Sequence, residues 1–284
     1  MLPNTIKNAI QEEVEEKISD VQTLHGGDIN QAAKVVVESD KKYFLKWNMD
    51  APPRMFQVEA KGLNLLADTN TNFQIPAVIL ENEHFLLLSL ISEGGGKKDS
   101  SFNFGKDLAI LHRATHEAFG LDHDNYIGRL PQSNTPHSNW LDFFTLERIE
   151  PQIKMGVEAG TLNRTVLRAA EGMYKKLGSI FPSEDPALLH GDLWSGNFMF
   201  TKSGNASIYD PAVYYGHREM DLAMTRLFGG FSANFYEGYN EEYPLEDGFD
   251  SRVTLYNLYP ILVHANLFGG SYCRQAESII HSYS

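Results

Sequence analysis

Leu189-His190-Gly191-Asp192-Leu193-Trp194-Ser195-Gly196-Asn197-Phe198-Met199-Phe200 is the stretch from which the rest of the chain can be read. A His-x-Asp with an Asn five residues after the Asp is the spacing used in phosphoryl-transfer loops. The Asp accepts or orients the proton of an attacking hydroxyl, and the Asn amide oxygen holds a Mg²⁺. Gly191 and Gly196 permit the tight turn that brings both groups to one end of a cleft. Thirteen residues after Asn197, Ser207-Ile208-Tyr209-Asp210-Pro211 ends a short apolar run on an acid, as a second Mg²⁺ ligand would require. An isolated Asp or Asn in a loop is ordinarily a turn former or cap. The combination of His190, Asp192, Asn197 and Asp210 at these spacings favours chemistry instead.

Upstream, two runs read as a hairpin over 33–47: Lys34-Val35-Val36-Val37-Glu38 and Tyr43-Phe44-Leu45-Lys46-Trp47. Lys46 sits inside an apolar strand. It is either a solvent-facing residue or the lysine that meets ATP phosphates. Glu59, thirteen residues on and on a predicted helix over 54–67, supplies the carboxylate that would hold such a lysine. Gly26-Gly27-Asp28-Ile29 is a plain turn or a phosphate-covering one, since glycines let backbone N–H groups approach phosphate oxygens. Leu86-Leu87-Leu88-Ser89-Leu90-Ile91 is a core strand or a hinge whose backbone meets adenine, and it can be both.

The spacing of Ile6, Ile10, Val14 and Ile18 predicts a helix over 3–18. Gly94-Gly95-Gly96-Lys97-Lys98 reads as a linker, placing a small β-rich unit with one internal helix at 1–93 and a larger, mainly helical unit at 94–284. Helices are predicted over 104–117, 140–153, 161–180, 216–228 and 250–268. Glu219 and Asp221 read as acids that cap a helix start, a role compatible with bracing the 190–197 loop.

The net charge is −13, which repels phosphodiester backbones and argues against a nucleic-acid partner. No run of about 18 apolar residues is present, so no membrane partner is expected. The acidic, amphipathic start lacks a secretory pattern. Cys273 is the one cysteine, which excludes an intrachain disulfide and fits a reducing, cytoplasmic setting.

The segments HGDLWSGN, IYDPAVYYGHREMDLAMTRLFGGF, RMFQVEAKGLNLL and LDFFTLERIEPQI together resemble the fructosamine-3-kinase (ketosamine kinase) family. That family belongs to a group of aminoglycoside phosphotransferase-like and choline-kinase-like enzymes. The resemblance implies an α+β, protein-kinase-like, two-lobed fold with a small N-terminal antiparallel sheet and a larger helical lobe. It implies ATP and Mg²⁺ as cofactors and a ketose joined to an amine as acceptor, phosphorylated on its 3-hydroxyl, with the enzyme a monomer or weak homodimer.

By position, the resemblance makes Asp192 the base and Asn197 and Asp210 the Mg²⁺ ligands. Lys46, Glu59, Gly26, Gly27, Ile29, Leu88, Ser89 and Leu90 become the nucleotide site. Trp194 falls near the sugar, with His190 and Asp221 as supports. Two departures stand out: many relatives carry a third glycine and a Ser or Cys in the 25–29 turn, and Ser89 replaces a frequent hinge acid. The broader group leaves other acceptors open, among them aminoglycosides, choline and homoserine. A nucleotide-binding module without turnover is a further alternative.

Overall fold

The computed structural model describes residues 2–24 and 29–284. Its N-terminal part is a helix α1 (Asn4–Glu13), strands β1 (Ile18–Leu24), β2 (Gln31–Val37) and β3 (Lys42–Trp47), helix α2 (Met55–Ala67), and strands β4 (Val78–Glu81) and β5 (Phe85–Ser89). The strands form one sheet in the order β1-β2-β3-β5-β4, antiparallel throughout.

Strand alternation sorts the side chains. Ala33, Val35, Leu45, Trp47, Phe85 and Leu87 face α1 and pack on Ile6 and Ile10. Leu86 and Leu88 face the other way, onto Phe56, Ala60 and Leu63 of α2. Lys46 pairs in register with Leu86, so it shares the α2 face. The helix predicted over 3–18 stops early: Glu15 takes a left-handed φ of 54°, and Ile18 opens β1 instead. β1 escapes sequence reading because it is an edge strand with few apolar residues and mostly exposed side chains.

The larger part begins with α3 (Ser100–Leu111), then the hairpin β6 (Asn125–Ile127) and β7 (Leu130–Gln132). Helix α4 (Trp140–Phe143) runs through a π-helical turn (Phe144–Ile149) into α5 (Glu150–Glu158), five residues beyond the predicted end. The π turn carries Arg148 fully inward, its guanidinium 3.9 Å from the Tyr214 ring centre. There follow α6 (Thr165–Leu177), β8 (Ala187–Leu189), β9 (Phe198–Phe200), β10 (Ala206–Ile208), β11 (Tyr214–Gly216), α7 (Glu219–Leu227), α8 (Ala233–Glu242), α9 (Phe249–Tyr256), α10 (Leu258–Phe268) and α11 (Ser271–Tyr283).

The single helix predicted over 250–268 is two, α9 and α10, while α8 and α11 were not anticipated. One core gathers α5, α6, α10 and α11 around Phe143, Phe144 and Tyr256. A second packs α3 against α8 through Phe104 and Phe235. The fold is therefore α+β and two-lobed, as expected. The glycine-rich 94–98 segment is stitched to the β9–β10 hairpin: the Gly94 amide donates to Phe200 O at 2.9 Å. Among the described residues, no helix is long and apolar enough to cross a membrane.

Candidate active site

Two strand pairings build the floor of the site. β8 pairs with β11, Leu189 opposite Tyr214, and β9 pairs with β10, Phe198 opposite Ile208. The 190–197 loop leaves β8 and enters β9, and Asp210 lies between β10 and β11. The pairings thus bring Asp192, Asn197 and Asp210 to one end of the two ladders.

The loop is held from below. Asp221 accepts the His190 amide at 2.7 Å and the Gly191 amide at 2.9 Å, one on each carboxylate oxygen. His112 Nε2 lies 3.2 Å from the same carboxylate, and its Nδ1 is 2.8 Å from the Tyr239 hydroxyl. Burial works against the Asp221 charge, but these donors outweigh it and hold the carboxyl below the usual range. His190 Nε2 donates to Tyr209 O at 3.0 Å, and its Nδ1 accepts the Asp192 amide at 3.3 Å. Gly191 has φ +82°, and a Cβ there would lie 2.0 Å from Ala212 O, so only glycine fits. Glu219 and Asp221 do lie in the first turn of α7, but neither side chain makes a capping hydrogen bond. Glu219 is fully buried and accepts from Arg252 at 2.6 and 2.7 Å, while Asp221 serves the loop.

Above the floor, Asn197 Nδ2 donates to Asp192 O at 2.8 Å and to Asp192 Oδ2 at 3.0 Å. Burial, aided by the nearby Asp210 and Asp221 carboxylates and opposed by the Asn197 bond, pushes the Asp192 carboxyl up to about 7. Asp210 occupies the left-handed region, φ 55°, a costly conformation for a non-glycine residue. From the sheet, Lys46 Nζ reaches Glu59 at 2.9 and 3.0 Å and Asp210 at 3.1 Å. Burial opposes the lysine charge, but the Asp210 and Glu59 carboxylates more than compensate and keep Lys46 protonated.

These groups line one cleft of about 1170 Å³. Ile29, Leu88, Ser89 and Leu90 line its sheet side, and Trp194 and Gly196 its far side. The Ser89 amide is taken by Ala77 O, and the Leu90 amide reaches Lys42 O at a long 3.4 Å. Gly26 and Gly27 lie outside the described residues. The structure brings Lys46, Glu59, Asp192, Asn197 and Asp210 together and sets His190 and Asp221 beneath them. Sequence reading missed the opposite wall, built from β6 (Asn125–Ile127), Phe228, His264, Phe268 and Tyr272. Aromatic residues at helical spacing carry the same pattern as core residues, so no sequence signal singled these out.

The donor set fits a magnesium ion. Asn197 uses its amide nitrogen on Asp192, which leaves Oδ1 without a hydrogen bond among the described residues. That oxygen and the Asp210 carboxylate are hard donors on one cleft. Among the described residues, no group of three or more His, Cys, Asp or Glu side chains could hold a metal by itself. Phosphate oxygens would complete the shell.

The fructosamine kinase family model matches residues 2–284. A probable ketoamine kinase of Synechocystis is 42% identical over 270 residues, spanning 93% of this chain and 90% of its own. The chloroplastic protein-ribulosamine 3-kinase of Arabidopsis thaliana is 34% identical, over 94% of this chain and 83% of its own. The crystal structure of a proposed fructosamine-3-kinase from Thermobifida fusca superimposes with a TM-score of 0.91 at 31% identity, covering 99% of both chains. An ADP-bound aminoglycoside phosphotransferase shares the fold, with a TM-score of 0.64 at 15% identity over 99% of this chain and 98% of that one.

Proposed function

The chain belongs to the fructosamine kinase family, and from that premise we propose that it transfers the γ-phosphoryl group of ATP to the 3-hydroxyl of a ketosamine. The acceptor is a fructosamine or ribulosamine such as glycated lysine, and the activity is of a deglycation or repair type. The observation that carries this reading is the convergence of Lys46, Glu59 and Asp210 with Asp192 and Asn197 in one cleft.

In the proposed reaction, the acceptor oxygen forms a bond to the γ-phosphorus while the bond from that phosphorus to the bridging oxygen breaks. The hydroxyl proton goes to Asp192, and ADP leaves. Asp192 orients the hydroxyl, and Asn197, bonded to its carboxylate, fixes the direction of approach. Lys46, kept charged between two carboxylates, binds the α- and β-phosphates, and Glu59 keeps it aimed. Asn197 Oδ1 and the Asp210 carboxylate would hold magnesium, which neutralises phosphate charge when bound.

The adenine lies against Leu88–Leu90, where the Ile91 amide has no intramolecular partner among the described residues and is free to donate to a base nitrogen. Ile29 would close over the nucleotide from the opposite strand end. The Trp194 indole lies over Gly196, where a Cβ would come 2.3 Å from the ring. A ketose C–H face would stack on it. Residues 1–93 would form the nucleotide lobe and 94–284 the catalytic and acceptor lobe.

The test is ³¹P NMR of products from a panel of glycated amines with Mg²⁺ and ATP. A phosphate monoester on O3 of a ketosamine is expected. Phosphorylation of choline or kanamycin in place of every ketosamine would overturn the acceptor assignment. Nucleotide binding without turnover on any acceptor would overturn the reaction.

A further inference from the structure

The acceptor end of the cleft carries aromatic rings that phosphoryl transfer does not itself require. Trp194, Phe228, His264, Phe268 and Tyr272 all line it. They form a connected set, with centroid separations of 5.8 Å for Trp194–Phe228, 5.1 Å for Phe228–His264, 5.6 Å for His264–Phe268 and 5.0 Å for His264–Tyr272. His264 is the hub. Trp194, Phe228 and Phe268 are 36, 39 and 53% exposed, among the most open large apolar side chains of the molecule. Exposed rings gathered on one concave wall mark a ligand surface.

The protonation of His264 follows from its bonding. Nδ1 lies 2.7 Å from Pro260 O, and a carbonyl only accepts, so Nδ1 carries the hydrogen. Burial holds the imidazole below its ordinary range, so the ring is neutral and Nε2 offers a lone pair. Nε2 has no hydrogen-bond partner among the described residues. The carboxylates that line the main cleft are Glu59, Glu93, Asp192 and Asp210, and Asp192 and Asp221 line the small cavity that His264 shares. A cation in this wall meets π faces and one lone pair, with Asp192 the nearby carboxylate of the cleft and Asp221 taken up by the loop amides.

The cavity that His264 shares with Asp192 selects the occupant. In a ketosamine the amine is on C1 and the reacting hydroxyl on C3, so a hydroxyl held at Asp192 leaves the nitrogen nearby. His264 and Asp192 line the same small cavity of about 20 Å³ beneath the loop, as well as the main cleft. We infer that the aromatic wall is the amine subsite: it receives the protonated secondary amine of the acceptor against its ring faces, with an N–H donated to His264 Nε2. This rests on the ketosamine reading and adds to it the groups that distinguish an amine-bearing sugar from a neutral one.

The test compares two acceptors on the full-length protein with Mg²⁺ and ATP: a 1-deoxy-1-alkylaminofructose and its isosteric ether, in which oxygen replaces nitrogen. The wild type is expected to favour the amine by about ten-fold or more in kcat/KM. His264→Phe keeps a ring but removes the lone pair. It is expected to raise KM for the amine about five- to thirty-fold, with kcat within about three-fold and KM for ATP and for the ether unmoved. Phe268→Ala, at an exposed position that does not endanger folding, should shift KM in the same selective way. Equal efficiency of the wild type on amine and ether would overturn the subsite alone, as would variants that change both acceptors alike. A wild type that phosphorylates neither compound would overturn the ketosamine reading and the subsite together.

Discussion

In the proposed reaction Asp192 answers to two opposed demands. To accept a proton it must be ionised, yet burial beside Asp210 and Asp221 pushes its carboxyl up to about 7. The kinetic consequence is an acid limb: kcat/KM, which reports the free enzyme, falls about ten-fold per pH unit below pH 7, and a pH–rate profile reads it directly. Asp192→Asn should lower turnover by about 10²–10⁴-fold while the nucleotide still binds, checked by a coupled ADP assay beside a binding isotherm.

The same shift has a stability consequence of definite sign. A carboxyl raised on folding favours the folded state at low pH and loses that contribution as pH climbs from about 4 to 7. The nucleotide-free Asn variant should therefore melt a few degrees above the wild type at pH 8 and level with it below pH 4. A melting series across that range would show a flat difference if the Asp192 environment were not as described.

Among elements, the 190–197 loop shows how far local sequence carries. Its spacing is short, so His190, Asp192 and Asn197 were legible as a unit. Its support is legible only through the family resemblance, which makes Asp221 a support, and not from local spacing. The amides of His190 and Gly191 are held by an acid some thirty residues downstream, which in sequence looks like an ordinary helix-start acid. Gly191 is the strict element of the loop, because Ala212 O fills the place of a side chain. Gly191→Ala should cost about 2 kcal/mol or more, a Tm loss of about 5 °C, and lower kcat by displacing the adjacent Asp192. Scanning calorimetry and steady-state kinetics on one preparation would separate the two effects.

Across the molecule, Lys46 is the hinge point of the electrostatics. It rises from the sheet of one lobe, pairs with Glu59 on α2, and reaches Asp210 from the other lobe at 3.1 Å. Nucleotide phosphates would compete with Asp210 for the Lys46 ammonium. At a hundred times Kd, Mg²⁺–ATP adds about 2.7 kcal/mol of stability, or roughly 5–10 °C in Tm for a chain of this size. Lys46→Met should remove most of that shift at the same ATP concentration, as scanning fluorimetry would report. A shift of wild-type size in the variant would remove Lys46 from the phosphate site.

From the sequence alone could be read the two-lobed α+β architecture, the His190–Asp192–Asn197 spacing of the loop and the candidate pairing of Lys46 with Glu59. Each of these is written in short spacings or in strand and helix periodicity, where neighbours in the chain are neighbours in space. Only the packed chain shows that Asp210 shares Lys46, that the two oxygens of Asp221 each take a separate loop amide, and that rings from the loop, α10 and α11 meet around His264. Those contacts join residues far apart in the chain, and no local pattern encodes which buried acid or aromatic will face which partner once helices pack.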